Sequence, residues 1–105
     1  MSNSHTTMDK AVFISFNQAF YEHILELLDR LNIRGLTAWE EVKGRGSYSG
    51  DPHYGTHTWP TLNSAMLVIL PEARVELLLS ELRKLDQRAE RQGLRAFVWD
   101  VTNGL

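Results

Sequence analysis

A chain of 105 residues with no shift in composition has room for one domain, and at that size burial against further copies would add appreciably to stability. A formal net charge of -2 gives no sequence-wide field to attract DNA or RNA, which argues against nucleic acid as the partner. The absence of cysteine excludes a disulfide framework, a thiolate metal site, an iron–sulfur cluster and a cysteine nucleophile together.

Residues 1–9 are polar, with Ser, Asn, Thr and His but no apolar stretch, so they read as a flexible tail rather than a secretion signal, and a cytoplasmic protein is expected. Residues 11–16 (AVFISF) are β-branched and aromatic and predict a first strand that stops at Asn17-Gln18. Phe20, Ile24, Leu27, Leu28 and Leu31 then recur at helical spacing, with Asn17 as a candidate N-cap, and predict a first helix ending near Asn32. Gly35 breaks the chain, and residues 36–43 (LTAWEEVK) read as a second strand whose alternation falters at Glu40-Glu41, the mark of a bulge.

Residues 44–63 hold four glycines and two prolines and show neither strand nor helix period, which predicts a long loop. Residues 64–70 are a continuously apolar third strand, and the longest apolar run, residues 65–70, is far too short to enter a membrane directly. Pro71 suits a first helical turn, after which Val75, Leu78, Leu79, Leu82, Leu85 and Ala89 trace one stripe of a second helix up to Gly93. Residues 95–101 (RAFVWDV) are a fourth strand.

The order β-α-β-β-α-β predicts an α+β, ferredoxin-like domain over residues 10–105, with a four-stranded antiparallel sheet and two helices on one face. Two helices cover only one face, yet the first and third strands are apolar at nearly every position. The second face is therefore expected to be an interface.

Within this frame, residues 32–46 (NIRGLTAWEEVKGRG) carry a Gly-x-Thr opening followed by Glu-Val-Lys-Gly-x-Gly, and residues 97–101 read FVWDV. These stretches resemble the PII nitrogen-regulatory proteins, and the likeness spans roughly residues 10–101. The resemblance implies a homotrimer whose sheets face one another. It also implies effector clefts between subunits and a T-loop, here within residues 44–63, that docks on a membrane transporter or a regulatory protein. Carried over position by position, it puts Thr37 beside the effector base and Lys43, Gly44 and Gly46 at the loop root. Arg95 stands where the family has the lysine of its second phosphate loop, reduced here to Gln92-Gly93-Leu94-Arg95. That reduction, with no counterpart of the two arginines that follow the fourth strand in the family, predicts weak or no ATP binding in the family's usual manner. Divergent PII-like proteins and the copper-tolerance CutA proteins share the fold with other ligands.

Asp51, His53 and His57 place a carboxylate and two imidazoles within seven residues, a donor set suited to a divalent transition metal. They open an alternative reading, a metal-binding protein of CutA-like or heavy-metal-efflux-associated type, beside the plainer one of polar residues on an exposed loop. Tyr54 and Trp59 are the loop's candidate partner-docking aromatics, although neither Tyr48 nor Tyr54 aligns with the tyrosine nucleotidylated in the family. His23 reads as a surface or interface residue, and Trp39 and Trp99 as core or interface aromatics. Arg83, Lys84, Arg88 and Arg91 interleave with Glu81, Asp86 and Glu90 as on a solvated helix face. No nucleophile, base and orienting group occur in a recognisable set, so an enzyme is not expected.

Overall fold

The computed structural model describes residues 8–42, 44–45, 52–53, 62–88 and 93–105. Along the chain run β1 (Asp9–Asn17), α1 (Tyr21–Arg30), β2 (Leu36–Val42), β3 (Gly44–Arg45), β4 (Pro52–His53), β5 (Asn63–Pro71), α2 (Val75–Arg88) and β6 (Arg95–Asp100). The main sheet has the order β2-β5-β1-β6 with every neighbouring pair antiparallel, the ferredoxin-like arrangement expected from the order of elements.

Strand alternation decides which side chains meet the helices. Val12, Ile14 and Phe16 of β1 and Met66, Val68 and Leu70 of β5 join Ile24, Leu27 and Leu28 of α1 and Val75, Leu78, Leu82 and Leu85 of α2 in one buried cluster. Full burial of a side chain of this size stabilises the fold by about 1.5–3 kcal/mol. The helical stripes thus pack as their spacing predicts, Ala89 lying outside the described residues.

The connections show where local chemistry acts. Asn17 caps the 3-10 turn Gln18–Phe20, not the α-helix, its side-chain oxygen accepting from the Ala19 amide at 2.8 Å. The tighter entry turn opens ahead of α1, so the amide that the cap satisfies is that of Ala19, two residues before the α-helix begins. At the far end of α1, Asn32 takes φ 59°, the Asn32 amide donates to the Asp29 carbonyl at 2.9 Å, and the Ile33 amide donates to that of Leu28 at 2.8 Å. That pattern is a Schellman ending with asparagine in the left-handed position and buried Ile33 as its apolar contact.

Pro71 is the last residue of β5 rather than the first of a helix; its ψ of 145° keeps the backbone extended, and the 3-10 turn Glu72–Arg74 intervenes before α2. A proline suits this strand end because it owes the ladder no amide there. β1 starts at Asp9, and the Glu72 amide donates to the Met8 carbonyl at 2.9 Å. In the stretch expected to be an unbroken loop from residue 44 to 63, Gly44 pairs with His53 and Arg45 with Pro52, and Asn63 belongs to β5. Two-residue strands are too short to leave a periodic trace in a sequence.

Candidate functional site

β2 and β6 are the two edges of the sheet, and the pairing registers set which of their residues lie level across it. Thr37 of β2 lies opposite Leu67, which is level with Phe13 and then Phe97 across the sheet. Two residues along, Trp39 faces Ala65, level with Ser15 and then Arg95. Thr37 and Arg95 are both exposed, but they stand on opposite edges, three strand spacings or roughly 14 Å apart across the sheet. One small ligand cannot touch both within a single subunit. Arg95 is also held to its own neighbourhood, its guanidinium donating to the Leu94 carbonyl at 2.8 Å.

The exit from β2 is shaped by a bulge. The register shifts by one residue between Trp39 and Val42, as the glutamate doublet predicts, and Glu40 and Glu41 are exposed. The Glu40 carbonyl, released from regular pairing, accepts from the Ser64 hydroxyl at 2.5 Å and from the Gln18 side-chain amide at 3.1 Å. A bulge bends and twists its strand, and here it redirects the chain into β3, where Gly44 sits across from His53. Gly44 is therefore at the root of the excursion between β2 and β5. Lys43, Gly46, Asp51, Tyr54, His57 and Trp59 lie outside the described residues. Among the described residues no group of three or more His, Asp or Glu could hold a metal ion.

The face of the sheet away from the helices carries Trp39, Ile69, Phe97 and Trp99, which are 43–57% exposed, with half-buried Phe13 and Leu67 between them. The expected second face is thus present and apolar. Its largest exposed groups sit on the edges rather than on the central strands whose composition pointed to it. Phe97, noticed in the sequence only as part of the FVWDV stretch, is the most exposed of the four. Period-two alternation within that stretch is the signal that puts Phe97 with Trp99 on one face.

Charges lie mostly elsewhere. Lys10 donates to Asp100 across β1 and β6, and that hydrogen bond holds the ammonium above its ordinary value. On the helix face Glu81 accepts from Lys84 at 3.0 Å and Arg30 at 3.1 Å; the Lys84 bond first, and then the two positive charges, hold its carboxyl below the usual range. Arg83, Lys84 and Arg88 are exposed, as read from their spacing, and Arg91 lies outside the described residues. Among the described residues no helix is long and apolar enough to cross a membrane.

No protein-family model matches this chain, and no curated protein matches it. Solved structures do. CPII from Thiomonas intermedia K12, a nitrogen regulatory PII-like protein, bound to ADP and bicarbonate, superposes with a TM-score of 0.72 at 25% identity over 89% of this chain and 85% of that one. The chain has the PII-like fold. A PII-like signalling protein from Thermus thermophilus gives a TM-score of 0.63 at 21% identity over 90% and 89% of the two chains. The ATP complex of GlnK from B. subtilis gives 0.69 at 14% identity over 93% and 85%. In this chain β6 starts with Arg95 two residues after Gly93, which has a φ of 74°.

Proposed function

We propose that this PII-like chain is a homotrimeric regulator. It binds a small effector between the β2 edge of one subunit and the β6 edge of the next, and signals through residues 44–63 to a membrane transporter or regulatory protein. The observation that carries this reading is the placement of Thr37 and Arg95 on opposite edges of a sheet whose open face is apolar. Edge meeting edge is a heterologous contact, which closes into a ring when the rotation fits, and such a contact brings the two residues toward one ligand.

The effector class follows from chemistry and from the neighbours. CPII structures hold ADP, AMP and bicarbonate. A guanidinium at Arg95 and glycine amides at Gly44 and Gly46 suit an anion, and Thr37 offers a hydroxyl to a base edge. With the second phosphate loop reduced to Gln92-Gly93-Leu94-Arg95, a short phosphate chain or bicarbonate fits better than a triphosphate. Lys43 would add a second cation at the loop root, and Tyr54 and Trp59 are the residues offered to the protein partner.

Light scattering should give three times the 12.0 kDa chain mass, and calorimetry should detect ADP or bicarbonate binding that Thr37→Ala and Arg95→Ala each abolish. Mixing the two defective proteins, with subunit exchange, should then restore about a quarter of the sites, because random mixing in a ring pairs an intact Thr37 with an intact Arg95 at that frequency. No recovery on mixing would sink the intersubunit site. The alternative reading has one structural observation in its favour, since β4 brings His53 back beside the loop root. Zinc titration of wild type and a His53→Ala/His57→Ala protein decides it: equal affinity, or none in either, removes Asp51, His53 and His57 from consideration as ligands.

A further inference from the structure

Polar side chains are buried at one end of the sheet. Among the described residues the buried polar ones are Asn17, Asn63 and Ser64, and all three lie where the chain leaves β2 and returns in β5, Asn17 level with Asn63 and Asn63 with Val42. Satisfied polar groups in a core rigidify their surroundings. Beside them, half-buried Gln18 reaches both ends of the excursion between β2 and β5. Its side-chain amide donates to the Glu40 carbonyl at 3.1 Å on the way out, and its backbone amide donates to the Leu62 carbonyl at 2.7 Å on the way back. The Ser64 hydroxyl donates to the same Glu40 carbonyl at 2.5 Å. Both lone pairs of that carbonyl, in the bulged stretch of β2, are therefore engaged, one from the turn between β1 and α1 and one from β5.

A bulge bends its strand, and the groups that hold the freed carbonyl set the direction of the bend. With the Glu40 and Leu62 carbonyls tied to one residue, Gln18 fixes the spacing of exit and return, and with it the path into β3, where Gly44 lies. We propose that Gln18 is a positioning residue for the root of residues 44–63, clamping both ends of that segment to the start of the helix layer and holding Gly44 in the orientation in which it meets the effector. The clamp lies within one subunit; only its link to the effector rests on the intersubunit site. A hydrogen bond from a half-buried side chain contributes modestly to stability, so the consequence of losing it is local geometry rather than loss of the fold.

The test uses the full chain with two substitutions that remove the donors in turn. Gln18→Met keeps the length and packing of the stem without the side-chain donor. Gln18→Pro removes the backbone donor as well, at the first position of the 3-10 turn, which accepts proline after the extended Asn17. Hydrogen exchange at the Val42, Gly44 and Arg45 amides should rise about fivefold in Gln18→Met and about tenfold or more in Gln18→Pro, with the Val12, Ile14 and Val68 amides within about twofold of wild type. ADP affinity by calorimetry should fall in the same order, about threefold and about tenfold, while the mass by light scattering stays the same. Unchanged exchange at the root in both variants would overturn the positioning role. So would a rise shared equally by the core strands, which would make Gln18 an ordinary contributor to global stability. ADP affinity that holds while root exchange rises would overturn the link to the effector and leave the intersubunit site standing. Wild-type protein that binds neither ADP nor bicarbonate overturns the intersubunit site instead, and exchange at the root then decides the clamp alone.

Discussion

The two faces of the sheet are made from the same kind of sequence and do different work. On the helix side Val12, Ile14, Phe16, Met66, Val68 and Leu70 are at most 2% exposed, locked against α1 and α2. On the other side Trp39, Ile69, Phe97 and Trp99 keep about half of their surface in water. A hydrophobic residue on the first face stabilises the chain wherever it is, whereas one on the second contributes only when something covers it. Apolar content alone does not separate a core from a contact surface; the side that the helices take does.

The widest gap between the faces should appear when matched phenylalanines are truncated. Phe16→Ala leaves a cavity in the fully buried cluster and should cost about 3–5 kcal/mol in urea unfolding, whereas Phe97→Ala should cost under about 1 kcal/mol in the unfolding of the isolated subunit. Equal costs would mean that the open face is part of the core. A charge sharpens the contrast: Phe97→Glu should leave the circular dichroism of the folded subunit intact while lowering the mass in light scattering, because an unpaired carboxylate is expensive to bury in a contact. Retention of the full oligomer would place the interface elsewhere.

Smaller effects test what holds α1 on its face. Asn32→Ala puts a Cβ-restricted residue at φ 59° and should cost about 1–2 kcal/mol, while Asn32→Gly should cost less or nothing. The smallest effect is electrostatic. Glu81 titrates below its ordinary range in the folded chain because Lys84 and Arg30 hold its charged form, so its contribution is present above the unfolded-state value near 4.3 and is lost as pH falls through the lower folded value. Glu81→Gln should lower stability slightly at neutral pH, as expected of an exposed ion pair, leave the most acidic end unchanged, and so flatten the acid limb by that same small amount. An unaltered acid limb would remove this pair from the account.

Several features could be read from the residues without a fold. The stripes of α1 and α2 and the bulge at Glu40-Glu41 follow from periodicity and from a broken alternation. The first helix ends near Asn32 as its stripe predicts, but the left-handed turn there is not legible because asparagine in that position is common and not obligatory; Pro71 was misplaced because proline suits both a strand end and a first helical turn. Of the candidate site, Thr37, Gly44 and Arg95 were recognisable as chemistry from the resemblance, while their arrangement was not.

What the order of residues determined was local: where strands and helices run, that both faces of the sheet are apolar, and which side chains could hold an anion or a base. Only the tertiary structure decided that β2 and β6 are the edges, and therefore that Thr37 and Arg95 stand apart in one subunit and Trp39 stands away from Phe97 and Trp99. Strand order is set by how the helices close the core and by the crossovers between strands, long-range choices that no periodicity within a segment encodes.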